Sequence, residues 1–460
     1  MKAEGKAVKL QKDLTTGSVR AHLIRFTIPL IISNIFQVLY NAVDMFFVGK
    51  YAGTESLSAV SVCGPIMDVL IISISGLSVG VSVAIANYAG NHQTQDVKDC
   101  ANSAIGLYAV IAVVFTVIGF ILSPQILALV QTPQEAMPHA IQYLRTIFCG
   151  IVFMLGYNLI NALQRGFGDS NSSMIFIIVS AGVNIVLDFI FVCLLDMHAF
   201  GAALATVIAQ AVSFVMGVVY FRIQKHVVTF RLKDIRFHVN QLRFILRIGL
   251  PTALNEVLVN LAYLTVSGVA NSFGLAASAA YGIGMKIDNI AIFSDSAMNM
   301  TMSSFASQNI GAGKPQRALD GLKEALKLSG ILGLITAVIV FFFAPGFAAI
   351  FNSDPLVIGH TVDYLHISLY SYVLFALVGP LIGFIRGTGN LKTSVIVGFI
   401  AQYVFRVPCA FLFCHFIGFP GVAVAILVGP LSSTIMYGWI VATGRWKRGL
   451  KNLNVSAQGA

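Results

Sequence analysis

The sequence predicts an all-α polytopic membrane protein: twelve transmembrane helices in two pseudo-symmetric six-helix bundles. Three observations point there. Hydrophobic residues make up 57% of the 460-residue chain and charged residues only 10%, where a soluble domain carries about 25% charged residues. Apolar runs recur along the chain, each long enough for the roughly 20 residues that a bilayer crossing requires. The two halves of the chain also repeat each other at a nearly constant offset.

The runs lie at roughly 25–48, 57–88, 101–122, 141–164, 173–195, 200–222, 245–272, 277–308, 322–344, 361–385, 393–416 and 420–443. The second and eighth are long and Gly-rich, so they are expected to tilt or to extend beyond the bilayer. Pro65, Pro380, Pro408 and Pro430 interrupt spans and are expected to kink them. The implied domains are a cytoplasmic N-terminal segment 1–24, a first bundle 25–222, a basic linker 223–244, a second bundle 245–443 and a cytoplasmic tail 444–460.

Twelve spans put both termini on one side, and the basic residues say which. Almost all lysines and arginines fall in the segments on that side. They include Lys2 to Arg25, the cluster from Arg222 to Arg247, Lys314 to Lys327, and Arg445 to Lys451. Only Lys50 and Arg145 lie opposite, and Lys286 and Arg406 lie within spans. Positive charge stays inside, so both termini are expected in the cytoplasm, with the protein in a bacterial inner membrane. The net charge of +10 then reflects orientation and contact with anionic membrane lipid. The basic residues are scattered over separate loops, which argues against nucleic acid. The first 22 residues are polar and basic, so no cleavable signal peptide is expected. The six cysteines show no CxxC or Cys/His spacing, so neither a disulfide framework nor a metal site is expected.

The repeat has an offset of 221 ± 1. Arg25-Phe-Thr-Ile-Pro29 matches Arg247-Ile-Gly-Leu-Pro251, Gly90 matches Gly311, Ser123-Pro124 matches Ala344-Pro345, and Gly201 matches Gly421. Most specific is Arg165-Gly-Phe-Gly168 against Arg386-Gly-Thr-Gly389. Each half has an even number of spans, so the repeats run parallel, an arrangement in which secondary transporters place substrate at the repeat interface. The symmetry breaks where the charge sits. Asp44 corresponds to Val266, Asn184 to Phe405 and Asp188 to Cys409. These acids belong to the first half alone, which suggests chemistry confined to one bundle.

An ionisable residue within a span is costly and is a functional candidate by default. Counting about 1.5 Å per residue, Asp44, Asp188 and Thr206 lie at similar depths, and Asn184 sits one turn from Asp188 on the same helix face. Asp44, Asn184, Asp188 and Thr206 are therefore the candidate coupling cluster, able to share a proton or to hold a small cation through oxygens. The bland alternative is an inert hydrogen-bonded pin. Gln37, Asn41 and Asp44 form a polar stripe with Tyr40 one turn away, and Tyr157, Asn158 and Asn161 add polar groups on the fourth span. Together they are candidates to line a hydrated cavity, against plain interhelical hydrogen bonding. In the second half, Glu256 and Lys286 lie at similar depth, and a buried ion pair is their simplest role. Substrate or cation contact by Glu256 is the alternative. Asp288 and Asp295 share the eighth span and are expected to face the central cavity. Arg406 is expected to tie to backbone carbonyls or an acid, and Asp68 has no evident partner.

No Walker A, HExxH, GxSxG or dinucleotide-binding pattern is present. No catalytic residue, metal or cofactor is expected, and transport then draws on an ion gradient.

Several motifs in order on this frame resemble the multidrug and toxic compound extrusion (MATE) family, in particular its DinF-like bacterial branch. They are Val43-Asp44-Met-Phe-Phe-Val-Gly49, Gln164-Arg-Gly-Phe-Gly-Asp169, Asn184-Ile-Val-Leu-Asp188, Gly282-Ile-Gly-Met-Lys-Ile-Asp288 and Gln308-Asn-Ile-Gly-Ala-Gly313. The resemblance implies two bundles around a cavity of alternating access, and export of cationic amphipathic compounds in exchange for protons or sodium. It assigns Asp44, Asn184, Asp188 and Thr206 to the cation network of the first bundle, and Pro29 to a bend in the first span. A sodium site seen in NorM-like members pairs acids on the seventh and tenth spans. Here Glu256 would supply one, but 364–385 contains no Asp or Glu, which favours protons. The competing reading is a flippase for a lipid-linked precursor. Such a flippase needs a cavity lined with Arg and Lys, and only Lys286 and Arg406 lie within spans. The chain is expected to function as a monomer.

Overall fold

The computed structural model describes residues 13–224, 228, 230 and 235–453. The expectations for Lys2, Lys6, Lys9, Lys12, Lys225, Arg231 and Lys233, and for the end of the tail, lie outside these residues. Within them the chain is helical, without strands. The helices are α1 (Val19–Tyr51), α2 (Gly53–Gly90), α3 (Thr94–Leu129), α4 (Met137–Gly166), α5 (Ser170–Asp188), α6 (His198–Ile223), α7 (Val239–Asn271), α8 (Leu275–Gly311), α9 (Pro315–Phe351), α10 (Pro355–Gly387), α11 (Leu391–Phe399), α12 (Val407–Ile417) and α13 (Pro420–Ala442). A π-helical turn, Phe189–Leu194, continues α5 directly after Asp188. A second, Ile400–Arg406, joins α11 to α12 into one span.

Eleven spans among the described residues are long and apolar enough to cross a membrane. The twelfth, α8, is 37 residues long and carries Lys286, Asp288 and Asp295. Most helices outrun the apolar windows that identify them. α3 begins at Thr94 and α9 at Pro315, about two turns before their apolar stretches. Extended length is thus general, not confined to the second and eighth spans, because a helix continues through polar residues until a turn signal stops it.

Those turn signals explain the Arg-Gly-x-Gly repeat. Gly168 and Gly389 hold φ of 81° and 74°, a left-handed conformation that only glycine adopts cheaply. The preceding glycine packs closely. A Cβ on Gly166 would sit 3.0 Å from the Ser82 carbonyl, and one on Gly387 2.7 Å from the Ser303 carbonyl. Asp169 then caps α5, its carboxylate accepting from the Ser172 N–H at 3.3 Å.

The chain divides into two units, one holding Ile28–Gly249 and the other Leu14–Thr27 with the chain from Leu250 onward. In the first, α4 is central and packs on α2, α3 and α6; in the second, α10 is central and packs on α8, α9 and α13. Glycines permit the close approach usual between membrane helices. Gly119 of α3 faces Phe148 of α4, Gly156 of α4 faces Phe214 of α6, and Gly284 of α8 faces Tyr364 of α10.

The division does not fall between the sixth and seventh spans. It falls inside α1, just before Ile28-Pro29, and inside α7, just before Leu250-Pro251. Hydrogen bonds account for both lead-in segments. In the second unit, Arg317 donates to the Thr16 carbonyl at 2.8 Å, Lys314 to the Thr15 carbonyl at 3.0 Å and Asn309 to the Leu14 carbonyl at 3.3 Å. Thr27 donates to Thr301 at 2.9 Å. In the first unit, Ser103 accepts from the His238 N–H at 3.0 Å, Gln241 donates to Asp96 at 3.1 Å, and Tyr88 meets Phe244 edge-on. The motif Gln308–Gly313 is thus structural, because with the start of α9 it seats residues 14–16.

Candidate functional site

In the first unit, three helices converge on a group of polar side chains. Asp44 comes from α1, Tyr143 and Tyr157 from α4, and Asp188 from the last α-helical residue of α5. Asp188 is fully buried and Asp44 nearly so, and the two lie close enough for each carboxylate to feel the other's charge. Tyr40 of α1 is within the same electrostatic reach of Asp44, Asp188 and Tyr157, and Tyr143 of Asp44, Asp188 and Tyr40. Both carboxylate oxygens of Asp188, Oδ1 of Asp44 and both side-chain polar atoms of Asn184 are buried without a hydrogen-bond partner. A buried polar atom left unbonded is costly, and native proteins contain few. No ion pair among the described residues involves Asp44 or Asp188. The π-helical turn that starts at Phe189 re-aims the chain directly beside this group, as such turns often do at functional sites.

The predicted cluster therefore forms in part. Asp44 and Asp188 lie within electrostatic range of each other, and Asn184 is buried one turn from Asp188. Thr206 is half-buried on α6, and no hydrogen bond joins it to either acid. Around them, Gln37 and Asn41 are exposed and Tyr40 half-buried. Two expected cavity residues are spoken for: Asn161 accepts from Ser173 at 2.6 Å, pinning α4 to α5, and Asn158 bonds back to the Met154 carbonyl at 2.8 Å. Interhelical and intrahelical bonding is their role. Sequence reasoning does not single out Tyr143. Its signal is its repeat mate, Tyr364, at the offset of the other matches.

The second unit handles its charge differently. It has its own buried acid, on another helix. Asp288 of α8, 2% exposed, accepts from Tyr372 at 2.6 Å, Tyr364 at 2.7 Å and Ser368 at 3.3 Å. Three hydroxyls from α10 thus wrap one carboxylate, and it does not line a cavity as expected. Arg406 lies within electrostatic range of Asp288. Its guanidinium is 3.7 Å from the Tyr263 ring centroid and donates to Gln402 at 3.1 Å, so a ring and an amide hold it rather than the expected carbonyls or acid.

The expected Glu256–Lys286 pair does not form. Glu256 accepts instead from Arg386 at 2.9 Å. Lys286 is exposed, over the Phe351 ring at 5.3 Å. Rotation about the helix axis explains this: two residues turn about 200°, so if Asp288 points inward Lys286 points away. Asp295 is half-buried and lies against the Gly379 backbone. Asp68 is exposed on α2. Among the described residues no His, Cys, Asp and Glu group is arranged to hold a metal, and all six cysteines are free.

The sequence pattern of the MatE family matches residues 29–190 and again 251–412. The chain belongs to the MatE family. The two matches begin at Pro29 and Pro251 and are offset as the internal repeat is. Relatives include a probable multidrug resistance protein YpnP of Bacillus subtilis, 27% identical over 95% of this chain and 97% of its own. A second, probable multidrug resistance protein YoeA of the same organism, is 29% identical over 87% and 88%. A solved structure described as the outward-facing conformation of a multidrug resistance MATE family transporter of the MOP superfamily superposes with a TM-score of 0.90. It is 26% identical, covering 97% of this chain and all of its own. MatE membership makes the chain a twelve-helix membrane transporter and not an enzyme.

Proposed function

We propose that this MatE transporter exports cationic amphipathic compounds in exchange for protons, with Asp44 and Asp188 taking the driving proton. The observation that carries this reading is the set of unbonded carboxylate oxygens on Asp44 and Asp188, buried in one unit with no basic partner. A group so placed is costly to hold, and a proton arriving there removes the cost. Proton and substrate then drive each other through the carrier's two states, because each must bind one state better to shift the equilibrium. Asn184 serves as the amide neighbour of Asp188, Tyr40 and Tyr143 shape the surroundings, and Pro29 is where α1 bends between states. The names of the relatives, which speak of multidrug resistance, support small-molecule cargo. The basic loops support an inner-membrane location with both termini cytoplasmic, and the chain works as a monomer.

Sodium is the alternative driving ion, since the same oxygens suit a small cation. The occupied state of Glu256, paired to Arg386, weighs against a sodium site in the second unit. The flippase reading is disfavoured because the two basic residues within spans are engaged elsewhere, Lys286 over Phe351 and Arg406 on Tyr263.

Purified protein in liposomes decides the coupling. An imposed pH gradient, acidic outside, is expected to drive efflux of a cationic dye with no sodium present. Efflux driven by sodium alone would replace the proton in this scheme, and efflux indifferent to both gradients would remove coupling altogether.

A further inference from the structure

The second unit holds a charge cluster separate from Asp288. Glu256 of α7 and Arg386, next to the end of α10, pair at 2.9 Å. The Arg386 side chain is 4% exposed and that of Glu256 37%, so the pair is buried on one side and open on the other. Asp295 of α8 feels the charges of both. Its Oδ1 is buried and unbonded, as is Nε of Arg386. The guanidinium on α10 thus pairs with the Glu256 carboxylate on α7, and the Asp295 carboxylate on α8 lies within electrostatic range of both. By formal charge the two acids exceed the arginine by one, and an unsatisfied donor on Arg386 and acceptor on Asp295 remain beside the pair.

The repeat sharpens the oddity. Arg165, the mate of Arg386, lies near Tyr108 and Tyr157 and forms no ion pair among the described residues. The Arg-Gly-x-Gly turn was duplicated, but among the described residues its arginine forms an ion pair in the second unit only.

We propose that Arg386 is a tethered cation that holds the Glu256–Asp295 acid pair until an exported organic cation displaces it. This rests on the reading that the chain exports organic cations, and it places their charged group at this triad. A planar guanidinium matches a carboxylate well, and a partner on the same chain acts at high effective concentration. An entering cation must therefore outcompete a built-in rival. A compound with one positive charge balances the charge left over; one with two meets the resident arginine as a like charge. The triad selects for single positive charge, and the empty site keeps its acid paired.

Direct binding tests this without any gradient. Ethidium, a monocation, and propidium, its dicationic analogue, are titrated into purified full-length protein in detergent and followed by fluorescence anisotropy. A site that is mostly self-occupied loses apparent affinity by its free fraction, so Arg386→Gln is expected to bind ethidium about tenfold tighter. Propidium should gain more than ethidium, because both carboxylates are then unpaired. Arg386→Lys keeps the charge and should stay near wild type. Asp295→Asn leaves the ion pair in place and is the variant to use if Arg386→Gln does not yield monodisperse protein. It should weaken ethidium binding about tenfold, and unchanged binding there overturns the inference. If wild type binds the dyes and Arg386→Gln binds them equally or more weakly, the tethered cation is wrong and the export reading stands. If wild type binds neither dye, both fall.

Discussion

Asp188 and Asp288 are both buried carboxylates, each in a six-helix unit built on the same repeat, and their surroundings are opposite. Asp288 is wrapped by three hydroxyls at 2.6–3.3 Å with a guanidinium in range. Asp188 has no hydrogen-bond partner on either oxygen, and its charged neighbour is another acid, Asp44. A carboxylate with three donors is at home as an anion and ties its helices together. One with no donors is a liability to the folded state, and natural proteins keep such liabilities where they are used. Burial alone therefore does not mark a coupling residue. What marks it is burial without satisfaction.

The sharpest way to break this contrast is to neutralise each acid in turn. Asp188→Asn is expected to abolish gradient-driven dye efflux, and so is Asp44→Asn, while both proteins insert normally and elute as monodisperse species. Asp288→Asn should still transport but lose about 1–3 kcal/mol of stability, seen as a lower melting temperature. Transport in Asp188→Asn at the wild-type rate, or its loss in Asp288→Asn without loss of stability, would reverse the assignment.

The next effect is on the hydroxyls. Tyr372→Phe removes the shortest donor to Asp288 and should cost about 1.5–3 kcal/mol, the range for a hydrogen bond to a charged group, with efflux retained at matched folded protein. In the first unit, Tyr143→Phe, at the repeat mate of Tyr364, removes no hydrogen bond to the acids. There the melting temperature should hold while the pH dependence of efflux changes. Smallest is Asn184→Ala. Its amide is already unbonded, so stability should change little, about 1 kcal/mol or less, and a change in the coupling ratio of protons to dye would be the telling readout.

Much of this was legible from the chain. Apolar length, the basic loops and the offset between Pro29 and Pro251 were enough for twelve helices in two halves, because bilayer thickness and backbone hydrogen bonding leave few other solutions. Asp44, Asn184 and Asp188 were visible as acids and an amide with no counterpart in the other half. Partnerships were not legible. Glu256 was matched to Lys286 by depth, but depth along a helix says nothing of direction around it, and Arg386 lies 130 residues away. Asp288 and the tyrosines of α10 stand on separate helices, so no spacing rule links them. The seating of residues 14–16 by Gln308, Asn309, Lys314 and Arg317 was hidden for the same reason.

That seat has a consequence for how the protein is made. The Leu14 N–H bonds to Gln308 at 3.3 Å, across 294 residues of chain. At ribosomal rates of about 5–20 residues per second, those residues take roughly 15–60 s to appear. Until then Leu14–Thr27, which includes the first turns of α1, has emerged without the surface it will rest on. Residues 14–16 must wait for their seat, and the first unit likewise stays short of a piece until α7 has been synthesised. Synthesis order and structural membership are out of step at both lead-in segments, so a chain halted after its sixth span is not half of this transporter.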